Sequence, residues 1–119
     1  MHAGEAGGQE NVKMAVQEYG ATRIGHGYRI AHDSKFMEDM RGIHFEICPT
    51  SSVETGGWDY KRRNWNEHPA VKMIRSGMKV GFNLDDPAGN NFSMTHVFQH
   101  IIVFPPHGPT KLNNFRIID

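Results

Sequence analysis

The chain has 119 residues with 13 basic and 13 acidic side chains, so its formal net charge is zero and we expect no nucleic-acid partner. Its longest apolar run, residues 97–106, contains Gln99 and His100 and is too short to span a membrane, and no signal-peptide pattern appears. The single cysteine, Cys48, excludes an intrachain disulfide and favours a reducing compartment, so we expect a cytoplasmic protein.

Predicted helices and strands alternate along the chain. After the polar opening of residues 1–5, we expect a helix over 10–19, a short strand over 22–26, a helix over 33–42, a strand over 44–48, a polar-aromatic loop over 54–66, a helix over 68–76, a central strand starting at Val80 and a helix over 91–102. This order predicts right-handed βαβ units and a parallel α/β sheet.

Polar residues follow each predicted strand. The C-terminal ends of parallel strands lie along one edge of a sheet, and ligands bind at that edge. We therefore expect one cluster to form from side chains that are far apart in the sequence, namely His2, Glu5, His26, Ser51, Asp85 and Asp86.

The central stretch, residues 80–87, is an apolar run that opens into two acids and a proline. It predicts a buried strand that delivers Asp85 and Asp86 at its C-terminal end. Because side chains alternate along a strand, we expect one acid to face a metal or base and the other to face a substrate. A simpler interpretation is a strand followed by a capped turn, since Asp is common in turns and Pro87 cannot continue the strand.

Eight histidines are more than average composition predicts, and they indicate metal or proton chemistry. Imidazoles and a carboxylate suit zinc, which keeps one position for water in catalytic sites, so His2 and Asp85 are candidate ligands. Glu5 is a candidate general acid, and His26 could accept a proton from water. Asp86 would hydrogen-bond a substrate nitrogen.

Each candidate also has an ordinary structural interpretation. Glu5 could be a solvated residue near the terminus, and His26, between two glycines, could be a turn residue. Cys48 is better explained as a buried thiol than as a nucleophile, because a proline follows it and no paired base is indicated.

Four motifs stand in the order and at the spacings of one family: His2-Ala3-Gly4-Glu5, Arg23-Ile24-Gly25-His26-Gly27, His44-Phe45-Glu46-Ile47-Cys48-Pro49 with Ser51-Ser52, and Asn83-Leu84-Asp85-Asp86-Pro87. Together they resemble the adenosine deaminase family over residues 1–96. The resemblance implies a zinc-dependent (β/α)₈ barrel hydrolase that converts adenosine, or deoxyadenosine, to the inosine product and ammonia.

The resemblance also implies a role for each matching residue. Hydroxide attacks C6 of the purine while the ring is protonated, and a tetrahedral intermediate expels ammonia. The implied roles are zinc ligands (His2 and Asp85), the proton donor at the purine N1 (Glu5), the residue that positions the hydroxide (His26) and contacts to the purine ring (Gly4 and Asp86).

Two features depart from the family pattern. The family's His-x-His pair, which supplies two further zinc ligands, is absent, because the chain begins at what resembles the end of the fifth strand. A full barrel needs about 250 residues, so we expect residues 1–100 to form its C-terminal half with roughly four βα units. Residues 101–119 leave the pattern and are expected to form a divergent tail, with disorder as one option. Open sheet edges would favour self-association.

Other functions compete with adenosine deamination by this chain alone. The main alternative is a non-catalytic fragment that associates with a full-length homologue or has no activity. A second alternative is an AMP or adenine deaminase, although Gly56-Gly57-Trp58-Asp59 looks closer to the adenosine enzymes. A flavodoxin-like binding module is disfavoured, since Gly25-His26-Gly27 lacks the third glycine of a phosphate loop.

Overall fold

Strands and helices alternate through the computed structural model, which describes residues 1–56, 58, 67–85 and 115–117. The strands are β1 (His2–Ala3), β2 (Arg23–His26), β3 (His44–Ile47), β4 (Lys79–Phe82) and β5 (Phe115–Ile117). The helices are α1 (Gln9–Gln17), α2 (Ser34–Asp39), α3 (Pro49–Glu54) and α4 (Pro69–Arg75), and a 3₁₀ helix covers Tyr28–His32.

All five strands are parallel and lie in sequence order, β1-β2-β3-β4-β5. This confirms the predicted α/β class with a parallel sheet. Strand β1 lies in the polar opening, for which no strand was predicted; it pairs with β2 and sets His2 opposite Gly25 and Ala3 opposite His26. Parallel order also places the C-terminal strand ends at one edge of the sheet.

The core lies between the sheet and its helices. Along β3, Phe45 and Ile47 are buried while His44 and Glu46 are partly exposed, which is the period-two pattern of a strand. Helix α4 buries Ala70, Val71, Met73 and Ile74. The side chains of β3 and α4 form one apolar cluster with these other buried residues: Val12, Ala15, Ile24, Tyr28, Ile30, Ala31, Met37, Met40, Met78, Val80 and Phe82.

Two helix starts follow the local chemistry predicted for them. Asp33 caps α2, because its Oδ1 accepts a hydrogen bond from the backbone N–H of Phe36 at 3.0 Å. Pro69 occupies the first turn of α4, where its missing N–H costs no helical hydrogen bond.

Three elements differ from the prediction. Strand β4 ends at Phe82, and Asp85 has a left-handed backbone (φ 68°), so strand alternation does not orient this acid. Helix α3 was not predicted. Strand β5 was not predicted either; it lies within the expected tail and pairs with β4. Asp86 and the helix predicted over 91–102 lie outside the described residues.

Within the described part of the chain, no helix has the length and apolar character that a membrane crossing requires.

Candidate active site

Three polar side chains, from β1, from β2 and from the segment after β4, meet at the C-terminal edge of the sheet. The Nδ1 of His2 lies 2.9 Å from the Nε2 of His26, within hydrogen-bonding distance. Asp85 joins them from the segment after β4, and the possible ligand atoms of the three residues all lie within 4.8 Å of one another. The convergence expected from parallel strands is therefore present for these residues.

His26 is held tightly at the end of β2. Its side chain is 1% exposed and its backbone is left-handed (φ 70°). Among the described non-glycine residues, His26 and Asp85 have a positive φ, a conformation that costs energy and tends to persist where function requires it. The surrounding structure thus fixes both residues in conformations that local preference disfavours.

Two carboxylates flank the His26 ring. The Nε2 of His26 lies 3.6 Å from the Oε2 of Glu5 and 3.8 Å from the Oδ2 of Asp85. The two acids are 25% and 28% exposed, so Glu5 is a partly buried member of the cluster and not simply a solvated terminal residue. A histidine placed between two acids is suited to proton transfer and to holding a cation.

Helix α3 and the residue that follows it each supply a hydroxyl to one of the acids. The Oγ of Ser51 donates a hydrogen bond to the Oδ2 of Asp85 at 2.9 Å. The Oγ1 of Thr55, which follows α3, lies 2.8 Å from the Oε1 of Glu5. Sequence reasoning placed Ser51 at the site but missed Thr55. Thr55 lies four residues after Ser51, so the two residues share one face of a helix. A prediction of α3 would therefore have identified Thr55 as well.

Gly4 has a packing role that its sequence position did not reveal. Its backbone is left-handed (φ 71°), and a Cβ there would lie 2.7 Å from the Cγ2 of Val12 and 3.1 Å from the Cα of Gly27. This close approach lets the residues after β1 turn toward His26. The predicted contacts of Gly4 and Asp86 with the purine ring stay predictions.

The start of α3 is anchored by a buried hydrogen-bond pair. The Oγ of Ser52 donates to the carbonyl of Pro49 at 2.6 Å and lies 3.0 Å from the Nε2 of His68. The Nδ1 of His68 accepts the N–H of Ala70, so we assign the ring proton to Nε2, which donates to Ser52. Burial lowers the pKa of His68 to about 3, so its imidazole is neutral at physiological pH.

Part of the polar-aromatic loop predicted over residues 54–66 is packed against this pair. Trp58 is buried, its ring centroid lies 4.8 Å from that of His68, and its backbone N–H donates to the carbonyl of Ser52. Trp58 therefore packs against the Ser52–His68 pair that anchors α3.

Cys48 is a structural thiol, as the sequence predicted. It is buried, and burial raises the pKa of its thiol to about 12, which disfavours the reactive thiolate. The Tyr28 hydroxyl accepts the N–H of Cys48 at 2.8 Å and donates to its carbonyl at 2.9 Å. Burial also raises the pKa of Tyr28 well above its ordinary value, so this hydroxyl keeps its proton.

The donor set fits zinc. The His2 imidazole and the Asp85 carboxylate are groups that catalytic zinc sites use as ligands, and His26 lies beside them. The Ser51 hydroxyl orients the Asp85 carboxylate in the way that outer hydrogen bonds orient metal ligands.

The sequence also matches a known family. The family model described as adenosine deaminase matches residues 1–117. The chain belongs to the adenosine deaminase family. The match extends through β5, so the family pattern continues beyond the region that carried the resemblance in the sequence.

Three curated adenosine deaminases have sequences similar to this chain. Those of Shewanella denitrificans, Shewanella loihica and Serratia proteamaculans are 41%, 39% and 35% identical over 82%, 84% and 92% of this chain. The matches cover 29%, 30% and 32% of those relatives, so the chain spans about three-tenths of their length.

Two solved structures have folds similar to that of this chain. The adenine deaminase from Arthrobacter aurescens has a TM-score of 0.75 and 27% identity, covering 86% of this chain and 31% of that structure. An amidohydrolase from Burkholderia ambifaria with bound Zn has a TM-score of 0.58 and 32% identity, and the match covers 72% of this chain and 24% of that structure. These likenesses confirm the predicted part-barrel α/β fold.

Proposed function

We propose that this chain carries part of the active site of a hydrolytic deaminase that removes the 6-amino group of adenosine. The observation that best supports this function is the position of the His26 Nε2, which lies between the carboxylates of Glu5 and Asp85 and beside His2. The match to the adenosine deaminase family over residues 1–117 supports the reaction class.

Zinc is the proposed cofactor, and His2 and Asp85 would hold it. When bound, zinc would make water acidic enough to react near neutral pH. The hydrogen bond from Ser51 keeps the Asp85 carboxylate oriented toward the cluster. The Zn-bound amidohydrolase with a similar fold supports this choice of metal.

The residues of the chain divide the proton transfers between them. Glu5 would donate its proton to the purine N1 while a water oxygen adds to C6. His26 would accept a proton from that water and pass it to the amino group, which leaves as ammonia when the C6–N bond breaks. The remaining hydroxyl proton would return to Glu5, so the net reaction consumes one water and regenerates both groups.

Adenosine is preferred over other purines on the strength of the curated relatives, which are adenosine deaminases 35–41% identical to this chain. Adenine is a second candidate, because the solved structure with a TM-score of 0.75 is an adenine deaminase. Both substrates present the same 6-aminopurine group to Glu5 and His26. Deoxyadenosine and AMP complete the proposed substrate panel.

Self-association is proposed for the open sheet edges. Strands β1 and β5 end the strand order within the described residues, so each has one edge without a neighbouring strand there. Such edges pair readily with other strands. A cytoplasmic location is proposed from the unpaired, buried Cys48.

The test is turnover by the purified 119-residue chain. The chain is incubated with zinc and each of the four purines, and both the purine absorbance and released ammonia are followed. Glu5→Gln is the matched control, because it preserves shape but cannot donate a carboxyl proton. Turnover that disappears in this variant supports the proposal.

The same preparation tests the alternative of a non-catalytic fragment. A folded, zinc-loaded chain without turnover would contradict deamination by the chain alone. Light scattering with and without a full-length adenosine deaminase of Shewanella denitrificans then shows whether the chain forms self-complexes or mixed complexes. A strictly monomeric chain in both mixtures would contradict the proposed association.

A further inference from the structure

We propose that Thr55 is a positioning residue for Glu5 and that their hydrogen bond persists whether the Glu5 carboxyl is ionised or neutral. The inference rests on the proposed function, in which Glu5 alternates between these two states. A residue that gives up and regains a proton in each cycle needs a neighbour that can hold it in both forms.

The Thr55 hydroxyl has one proton and two nearby acceptors. Its Oγ1 lies 2.8 Å from the Oε1 of Glu5 and 3.0 Å from the backbone carbonyl of Ser51. When Glu5 is ionised, Thr55 donates its proton to Oε1. When Glu5 is neutral and carries its proton on Oε2, Oε1 is the carbonyl oxygen and still accepts the hydrogen bond from Thr55. The same donation therefore holds the carboxyl group in both states.

The backbone keeps the Thr55 oxygen in place for both states of Glu5. A threonine in a helix commonly turns its Oγ1 toward the carbonyl four residues earlier, and the Thr55–Ser51 contact has this form. The other end of α3 is anchored through Ser52 and His68. The hydroxyl therefore lies on a fixed support, 50 residues away from Glu5 in sequence.

The contact also gives different roles to the two oxygens of Glu5. Oε1 is occupied by Thr55, whereas Oε2 lies 3.6 Å from the His26 Nε2 and faces the cluster. Arg29, from the 3₁₀ helix, reaches the backbone oxygen of Glu5 at 3.3 Å and leaves the carboxyl group to these two neighbours. Oε2 is thus the oxygen placed to deliver a proton to substrate.

The experiment compares Thr55→Val, which keeps the branched shape without the hydroxyl, with Thr55→Ser, which keeps the hydroxyl. All measurements are made at one near-neutral pH on the full 119-residue chain. In a chain with ¹³C-labelled glutamate, the carboxyl-carbon resonance of Glu5 is assigned by its loss in Glu5→Gln. We expect this resonance to move in Thr55→Val and to return toward its original position in Thr55→Ser.

The neutral state is tested in the Glu5→Gln background, because the amide is a neutral group of nearly the same shape whose oxygen can accept the Thr55 hydrogen bond. We expect its side-chain amide ¹⁵N–¹H signals to move in Thr55→Val and to be restored by Thr55→Ser. A change confined to the chain that keeps Glu5, with none in the Glu5→Gln background, would overturn the two-state role. Unchanged signals in both backgrounds, or equal changes in the Val and Ser variants, would overturn the positioning role.

Kinetics add a second readout that is independent of the spectra. Misplacement of a catalytic group lowers turnover more than binding, so we expect kcat to fall by about ten- to a hundredfold in Thr55→Val with KM little changed. Thr55→Ser should recover most of the loss. A wild-type chain without turnover would count against the proposed function, and the NMR signals would still decide the role of Thr55.

Discussion

Substituting Gly4 by alanine tests whether close packing after β1 builds the site. The predicted cost has two parts. A left-handed backbone costs a residue with a Cβ about 1–2 kcal/mol, and φ at Gly4 is 71°. The new Cβ would also lie 2.7 Å from the Cγ2 of Val12 and 3.1 Å from the backbone Cα of Gly27. Overpacking of this kind costs about 1–3 kcal/mol, so the expected total loss is roughly 2–5 kcal/mol.

Gly20→Ala is the matched control. Gly20 has nearly the same backbone (φ 65°), but nothing lies within 4 Å of a Cβ built there. We therefore expect only the backbone part, about 1–2 kcal/mol, in the control. The assay is urea unfolding of the three chains, followed by far-ultraviolet circular dichroism and tryptophan fluorescence. Equal losses in Gly4→Ala and Gly20→Ala would refute the packing argument.

Two further predictions concern zinc binding and the buried His68 that anchors α3. Zinc affinity, measured by competition with a coloured chelator, should fall steeply in Asp85→Asn, which tolerates the left-handed backbone but removes the anionic ligand. Zinc affinity should fall by about 10- to 100-fold in Ser51→Ala, because the Asp85 carboxylate loses the hydrogen bond that orients it. Unchanged zinc affinity in both variants would contradict the proposed site. Burial lowers the pKa of His68 from its ordinary 6.5 to about 3, so the unfolded chain takes up this proton first. The free energy of unfolding should then decrease as the pH falls from 6.5 toward 3, by up to about 1.4 kcal/mol per pH unit. His68→Asn, which can still cap α4, should flatten this pH dependence, and an equally steep acid loss in that variant would show that another group is responsible.

Much of the fold follows from local sequence patterns. Alternating burial at Phe45 and Ile47, the cap at Asp33 and the proline that opens α4 are each fixed by a few neighbouring residues. Parallel strand order then brings polar strand ends to one edge of the sheet, which is why His2 and His26 were expected to meet.

Other features depend on residues that are distant in sequence, so no local pattern encodes them. Strand β1 is two residues long and exists through its pairing with β2, and β5 exists through its pairing with β4. Because Asp85 has a left-handed backbone, the alternation of side chains along a strand does not set the direction of its carboxylate. The Glu5–Thr55 hydrogen bond joins residues 50 positions apart.

The sequence by itself determined the family, the α/β class and the residue types that converge at the site. Those properties rest on motif order and on the short-range periodicity of apolar residues. Tertiary structure decided the partners of each carboxylate, the neutral state of His68 and the packing role of Gly4. They depend on which backbone segments approach within hydrogen-bonding or van der Waals distance, and that is settled only when the strands and helices pack together.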